Sequence, residues 1–228
     1  MQRFQPFVGR RAVILTALSW LFVAAVGPVA AQPAAGDGKP IEIVAFGDSL
    51  TQGYGVEPGK AFPEQLEAAL RKDGLNVAVD NAGVSGDTTT GGLSRLDWSV
   101  PQTADLVIVE LGANDALRGI SPDITRNNLD EILKRLTDRG QTVILAGMLA
   151  PPNMGEDYAS KFDAIYPDLA KKYPVTLYPF FLEGVAADPE LNQADGMHPT
   201  AKGVAKIVAA MKPVIETALG LKAEAASR

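Results

Sequence analysis

The chain has no cysteine at any of its 228 positions and only one histidine. The first absence removes disulfides, thiolate nucleophiles and thiolate metal sites together. The second leaves too few nitrogen ligands for a catalytic zinc centre, so neither a metal nor any other cofactor is expected. Basic residues are short as well: 21 Lys and Arg stand against 27 Asp and Glu. No apolar run reaches the roughly 20 residues that a membrane-spanning helix needs. A phosphate-binding loop is also missing. Gly47, Gly53 and Gly55 do not have the Gly-x-Gly-x-x-Gly spacing. Gly59-Lys60 has Tyr54 where a phosphate loop has its first glycine, and Ala61 where it has Ser or Thr.

What is present begins with an amino-terminal segment that carries Arg3, Arg10 and Arg11 and no acid, then an apolar run from Ala12 to Gly27, then Pro28 and the small residues Val29-Ala30-Ala31. This is the three-part layout of a secretory signal. Residues 1–31 are therefore expected to be a cleaved signal peptide, 32–40 a flexible leader, 41–219 the folded domain and 220–228 a tail. Loss of the three arginines leaves 18 basic against 27 acidic residues, a net charge of −9. Such a surface gives no reason to expect nucleic acid or anionic lipid as a partner. Stable membrane insertion after signal cleavage is not expected either.

Within the domain, strand-like and helix-like stretches alternate. Short apolar strands are expected at 41–46, 77–80, 104–111, 142–147 and 175–178. Helices are expected at 62–72, from Ser121-Pro122 to Gly140, at 157–172 with a kink or early end at Pro167, and at 201–219 with a bend at Pro213. Alternation of this kind gives right-handed crossovers and a mainly parallel sheet covered on both faces. The fold class is thus α/β, a three-layer α/β/α sandwich on a five-stranded sheet. Ligands of such sheets sit beyond the carboxyl ends of the strands.

Residues with useful chemistry fall at those ends. Ser49, in Gly47-Asp48-Ser49-Leu50, follows the first strand and is displayed where a nucleophile would stand. Most turn serines only cap the next helix, so the hydroxyl needs a partner base. The one histidine, His198, lies in Asp195-Gly196-Met197-His198-Pro199 before the last helix. Asp195, three residues ahead, can hold one imidazole nitrogen while the other faces a serine. Gly83 follows the second strand, and its lack of a Cβ would let its backbone N–H approach an oxyanion. Asn114 follows the third and offers a neutral side-chain donor. The Ser49 N–H would be a third donor.

Ser, Gly, Asn and His in that order, on four separate strand ends, resemble the SGNH hydrolase family, also called GDSL lipases and esterases. Gly47-Asp48-Ser49-Leu50, Gly83, Gly112-x-Asn114-Asp115 and Asp195-x-x-His198 match its four sequence blocks. The resemblance covers about 41–218. Within the family the chain looks most like the bacterial acyl-CoA thioesterase I, lysophospholipase and arylesterase group, on Ser85-Gly86-Asp87-Thr88-Thr89, Val109-Glu110-Leu111-Gly112, Asn114 to Gly119, Ile165-Tyr166-Pro167 and Pro179-Phe180-Phe181-Leu182. Ala113 departs from the glycine expected there and should stiffen the loop carrying Asn114.

The resemblance implies a flavodoxin-like sheet, periplasmic or secreted location, and a serine ester hydrolase. Its substrates would be small acyl esters or thioesters, of short to medium acyl length, cleaved through an acyl-Ser49 intermediate. Leu117 and Ile120 after Asn114, and Leu149, Pro151 and Met154 after the fourth strand, are the expected acyl-binding residues. A monomer or weak oligomer is expected. The rival readings are a carbohydrate O-deacetylase of the same fold and a noncatalytic periplasmic binding protein.

Overall fold

The computed structural model describes Met1–Gln2 and residues 38–221. Most of the expected signal at 1–31, most of the leader at 32–40 and most of the tail at 220–228 lie outside the described residues. The elements all fall in one compact unit. Among the described residues no helix is long and apolar enough to cross a membrane.

In chain order the elements are β1 (Ile41–Gly47), α1 (Ser49–Gln52), α2 (Phe62–Lys72), β2 (Val77–Gly83), α3 (Thr89–Ser99), β3 (Leu106–Glu110), α4 (Ala113–Leu117), α5 (Pro122–Asp138), β4 (Thr142–Ala146), a 3-10 turn (Pro152–Met154), α6 (Glu156–Asp163), α7 (Ile165–Lys172), β5 (Thr176–Tyr178) and α8 (Ala201–Ala218). The five strands are all parallel, in the order β2-β1-β3-β4-β5. This is the flavodoxin-like order, whose direction of winding reverses between β1 and β3. α2 packs against α8, while α3 packs against α5 and α5 against α7, which gives the two helical layers.

The strands follow their composition. β3 and most of β4 are buried throughout, as an apolar strand covered on both faces must be. β2 lies at the sheet edge, buries Val77 and Val79, and leaves Asp80 and Asn81 exposed. Helix α2 turns Phe62, Leu66 and Leu70 fully into the core, each stabilising the fold by about 1.5–3 kcal/mol. In α5 the side chain of Ser121 accepts from the Asp123 N–H and Pro122 occupies the first turn, as read from the sequence.

Three local expectations change. The stretch 157–172 is two helices that break at Ala164, one turn ahead of Pro167. A proline clashes with the carbonyl four residues back, here that of Asp163. Pro213, where a bend was expected, lies inside the single helix α8; the carbonyl it leaves unserved is that of Ala209, an exposed residue. The connection between β2 and β3 holds α3, which no stretch of the sequence announced. Thr88 caps it by accepting from Gly91 N–H, and the long side chain of Arg95 is buried beneath it.

The register aligns the carboxyl ends of the strands in one row, Gly83, Gly47, Glu110, Ala146 and Tyr178. Gly83 stands in that row, and Ser49, Asn114 and His198 lie beyond it.

Candidate active site

Ser49 is the first residue of α1, and the Asp48 side chain caps this short helix by accepting from the Leu50 N–H at 3.0 Å. The turn lies flat across the strand ends. A Cβ on Gly47 would come within 2.2 Å of Thr51 Oγ1, and one on Gly83 within 2.3 Å of the Gln52 nitrogen. The missing Cβ of Gly83 therefore makes room for the nucleophile's own turn. The Gly83 N–H points to the Asn81 side chain, with Oδ1 at 3.1 Å. This two-residue turn of an asparagine onto its own backbone is common.

His198 reaches Ser49 from the other end of the domain. Its Nε2 is 2.9 Å from Ser49 Oγ and its Nδ1 is 2.6 Å from Asp195 Oδ2. The carboxylate beside Nδ1 favours the tautomer with its proton there, so that Nε2 can accept from the serine hydroxyl. Asp195 Oδ1 also accepts from the backbone N–H groups of His198, at 3.0 Å, and Met197, at 2.9 Å. These two N–H groups and then the imidazole hold the Asp195 carboxyl down at about 2. The loop is closed at its base by Thr200 N–H donating to the Leu191 carbonyl and Gln193 N–H donating to the His198 carbonyl. The Tyr54 ring lies against the imidazole, with centroids 4.7 Å apart.

Asn114 sits in α4, so the segment expected as a stiffened loop is one turn of helix, in which Ala113 is a good former. Asn114 Nδ2 donates to Asp48 Oδ2 at 2.9 Å. An amide nitrogen carries two hydrogens, which leaves one for a ligand. Asp48 is wholly buried, and burial pushes its carboxyl up to about 6 against the stabilising N–H of Leu50 and the amide of Asn114. Behind it Glu110 is buried as well, held well above the carboxylate range by burial and by the nearby Asp48 charge. Its Oε2 accepts from the Thr51 hydroxyl at 2.7 Å, and Oε1 has no hydrogen-bond partner. An acid closing the otherwise apolar run of β3 was the available sequence signal.

Ser49, Asn114 and His198 line one side of a cleft of about 550 Å³. Leu117, Leu149 and Pro151 line it as expected, joined by Met148, Phe180 and Leu182. The last two follow β5, and the strand-end rule that selected the loops after β3 and β4 would have selected this one too. Ile120 and Met154 are not on the cleft wall. The Ile120 carbonyl accepts from the Tyr158 hydroxyl at 2.8 Å, and the Met154 methyl lies over Gly119. Neither is Gly83 on that wall.

With this geometry in view, comparison with known proteins gives a consistent answer. The model of the GDSL-like lipase/acylhydrolase family matches residues 45–206. The chain is 43% identical over 159 residues to an arylesterase of Vibrio mimicus, covering 69% of this chain and 80% of that one. It is 39% identical over 158 residues to thioesterase 1/protease 1/lysophospholipase L1 of Escherichia coli (strain K12), covering 69% and 74%. Among solved structures, AlinE4, an SGNH-hydrolase family esterase, superposes with a TM-score of 0.67 at 51% identity, covering 80% of this chain and 98% of that one. A family match spanning most of the chain, with relatives of this identity, places the protein: it belongs to the GDSL-like lipase/acylhydrolase family, the SGNH hydrolases.

Proposed function

We propose that this chain is an exported carboxylic ester hydrolase in which Ser49 is the nucleophile, His198 the general base and acid, and Asp195 the group that orients His198. The observation that carries this reading is the unbroken run of hydrogen bonds from Ser49 Oγ through both imidazole nitrogens to Asp195, opening on an apolar cleft.

In the first half-reaction Ser49 Oγ attacks the ester carbonyl carbon as Nε2 takes its proton. The oxyanion is met by the Ser49 N–H and the free hydrogen of Asn114 Nδ2. The Gly83 N–H joins them once it leaves Asn81. The carbonyl re-forms, the C–O or C–S bond breaks, and Nε2 protonates the departing alcohol or thiol. Water repeats the cycle on the acyl-enzyme and releases the acid. The Leu, Met, Pro and Phe side chains of the cleft favour an acyl chain over a sugar, which sets the O-deacetylase reading second. A bonded serine–histidine pair likewise speaks against a noncatalytic binder. The names of the two relatives extend the proposal to aryl esters, acyl thioesters and lysophospholipids as substrate classes.

An acyl-length series of aryl esters, run beside matching acyl-CoA thioesters, tests this. Turnover should be highest with short to medium acyl groups. Asn114→Ala should lower kcat by about 100- to 1,000-fold across the whole series, because every substrate forms the same oxyanion. A loss confined to one chain length would make Asn114 an acyl-binding residue instead. Export rests on residues 1–31 alone, and amino-terminal sequencing of the mature protein should begin at Gln32; an intact Met1 would overturn it.

A further inference from the structure

The side-chain bond between Ser49 and His198 joins residues 149 positions apart. A second path of hydrogen bonds closes a ring with it. The Tyr54 N–H donates to the Ser49 carbonyl at 3.1 Å, so the residue leaving α1 is tied to the nucleophile's own peptide. The Tyr54 carbonyl accepts from Gln193 Nε2 at 2.7 Å. Gln193 Nε2 also donates to the Pro199 carbonyl at 3.0 Å. The backbone N–H of Gln193 donates to the His198 carbonyl at 2.7 Å. Both hydrogens of one carboxamide are thus spent on carbonyls from the two loops that must meet.

We propose that Gln193 is a positioning residue that fixes the approach of His198 to Ser49 by clasping the serine loop to the histidine loop. The proposal rests on the reading of Ser49 and His198 given above. Two further contacts support it. Gly55 has φ +71°, and a Cβ there would lie 2.1 Å from Gln193 Oε1, so the serine loop is shaped to the carboxamide. The Tyr54 ring packs on the imidazole at 4.7 Å, so holding Tyr54 also holds a wall of His198. A carboxamide is the group that suits the place. Its two N–H donors face two carbonyls, where a carboxylate would face them with oxygen and a thioether with nothing. Proton transfer and attack depend steeply on sub-ångström placement, and a displacement of about 1 Å costs up to about 100-fold.

Gln193→Met keeps the volume and removes both donors; Gln193→Glu keeps the shape and sets an acceptor against two acceptors. For each, kcat and KM on an aryl ester, the rate of inactivation by a fluorophosphonate and the melting temperature are measured. The expected result is a fall of about 10- to 100-fold in kcat, with KM within about threefold of wild type. Fluorophosphonate inactivation should slow by a matching factor, since it needs the same activated hydroxyl. A residue that only supports the fold would lower the melting temperature and leave the inactivation rate of folded protein unchanged. Wild-type kcat in folded Gln193→Met, or a loss carried wholly by KM, overturns the proposal. If both variants are unfolded at the assay temperature, Gly55→Ala decides. Its new Cβ drives the carboxamide off Tyr54, and wild-type kcat there is equally fatal. Ser49→Ala separates the two levels of inference: if it retains turnover the enzyme reading fails, whereas an inactive Ser49→Ala beside a fully active Gln193→Met removes the clasp alone.

Discussion

Ser49→Ala and His198→Ala should each lower ester kcat by about 10⁴- to 10⁶-fold, and the double variant should be no slower than the worse of the two. The reason is that the two side chains act as one device. At neutral pH an isolated serine hydroxyl is a poor nucleophile, and only a base within hydrogen-bond reach, here at 2.9 Å, can take its proton as it attacks. Removing either partner removes the whole of that assistance, so the second loss has nothing left to take. What survives is the contribution of substrate binding and the oxyanion donors. Steady-state kinetics with a chromogenic aryl ester reads the three variants. A fluorophosphonate should label wild type at Ser49 and leave His198→Ala almost unlabelled. Losses that multiply in the double variant would mean that serine and histidine serve separate steps, and the mechanism above would fail. Asp195, held at about 2, keeps its charge well into acid.

Asp195→Asn should cost about 10⁴-fold in kcat while the protein keeps its wild-type melting temperature. The carboxylate performs two tasks with two oxygens: Oδ1 accepts from the backbone N–H groups of Met197 and His198, and Oδ2 faces Nδ1 of the imidazole. An asparagine can leave its oxygen on the two N–H groups, which preserves the loop. Its NH2 then faces Nδ1 as a donor, so Nδ1 must accept and the proton moves to Nε2. The nitrogen opposite Ser49 becomes a donor and no longer takes the hydroxyl proton. Nor does any charge remain to stabilise the imidazolium. A melting curve and kcat measured on the same preparation check both halves of the expectation. Activity within tenfold of wild type would show that the loop backbone, not the carboxylate, orients the imidazole.

Much of this was readable from residue order because the chemistry sits where the sheet puts it. Apolar runs such as Leu106–Val109 have little choice but to be central strands, and the polar residues that follow each run then gather at one edge. Ser49, Asn114 and His198 stand out in this way, and all three line one cleft. The failures share a different cause: they depend on what one short segment does against another. Helix α3 carries two glycines and few apolar side chains, so its periodicity is faint. It is held by Thr88 at its start and by Arg95, which donates to the carbonyls of Gly47 and Ala82 and pairs with Asp87. Ile120 and Met154 follow strands as the rule required, yet their loops fold back onto Tyr158 and Gly119 and turn them from the cleft. The contact of the Gly83 N–H with the Asn81 side chain, two residues away, was likewise not legible. Gln193 has no local signature at all, because its partners lie 139 residues back and six residues on.

The proposed base is synthesised 149 positions after the proposed nucleophile. A nascent or truncated polypeptide lacking the His198 loop would carry a hydroxyl no more reactive than any other, so hydrolysis should begin only once the complete chain has folded.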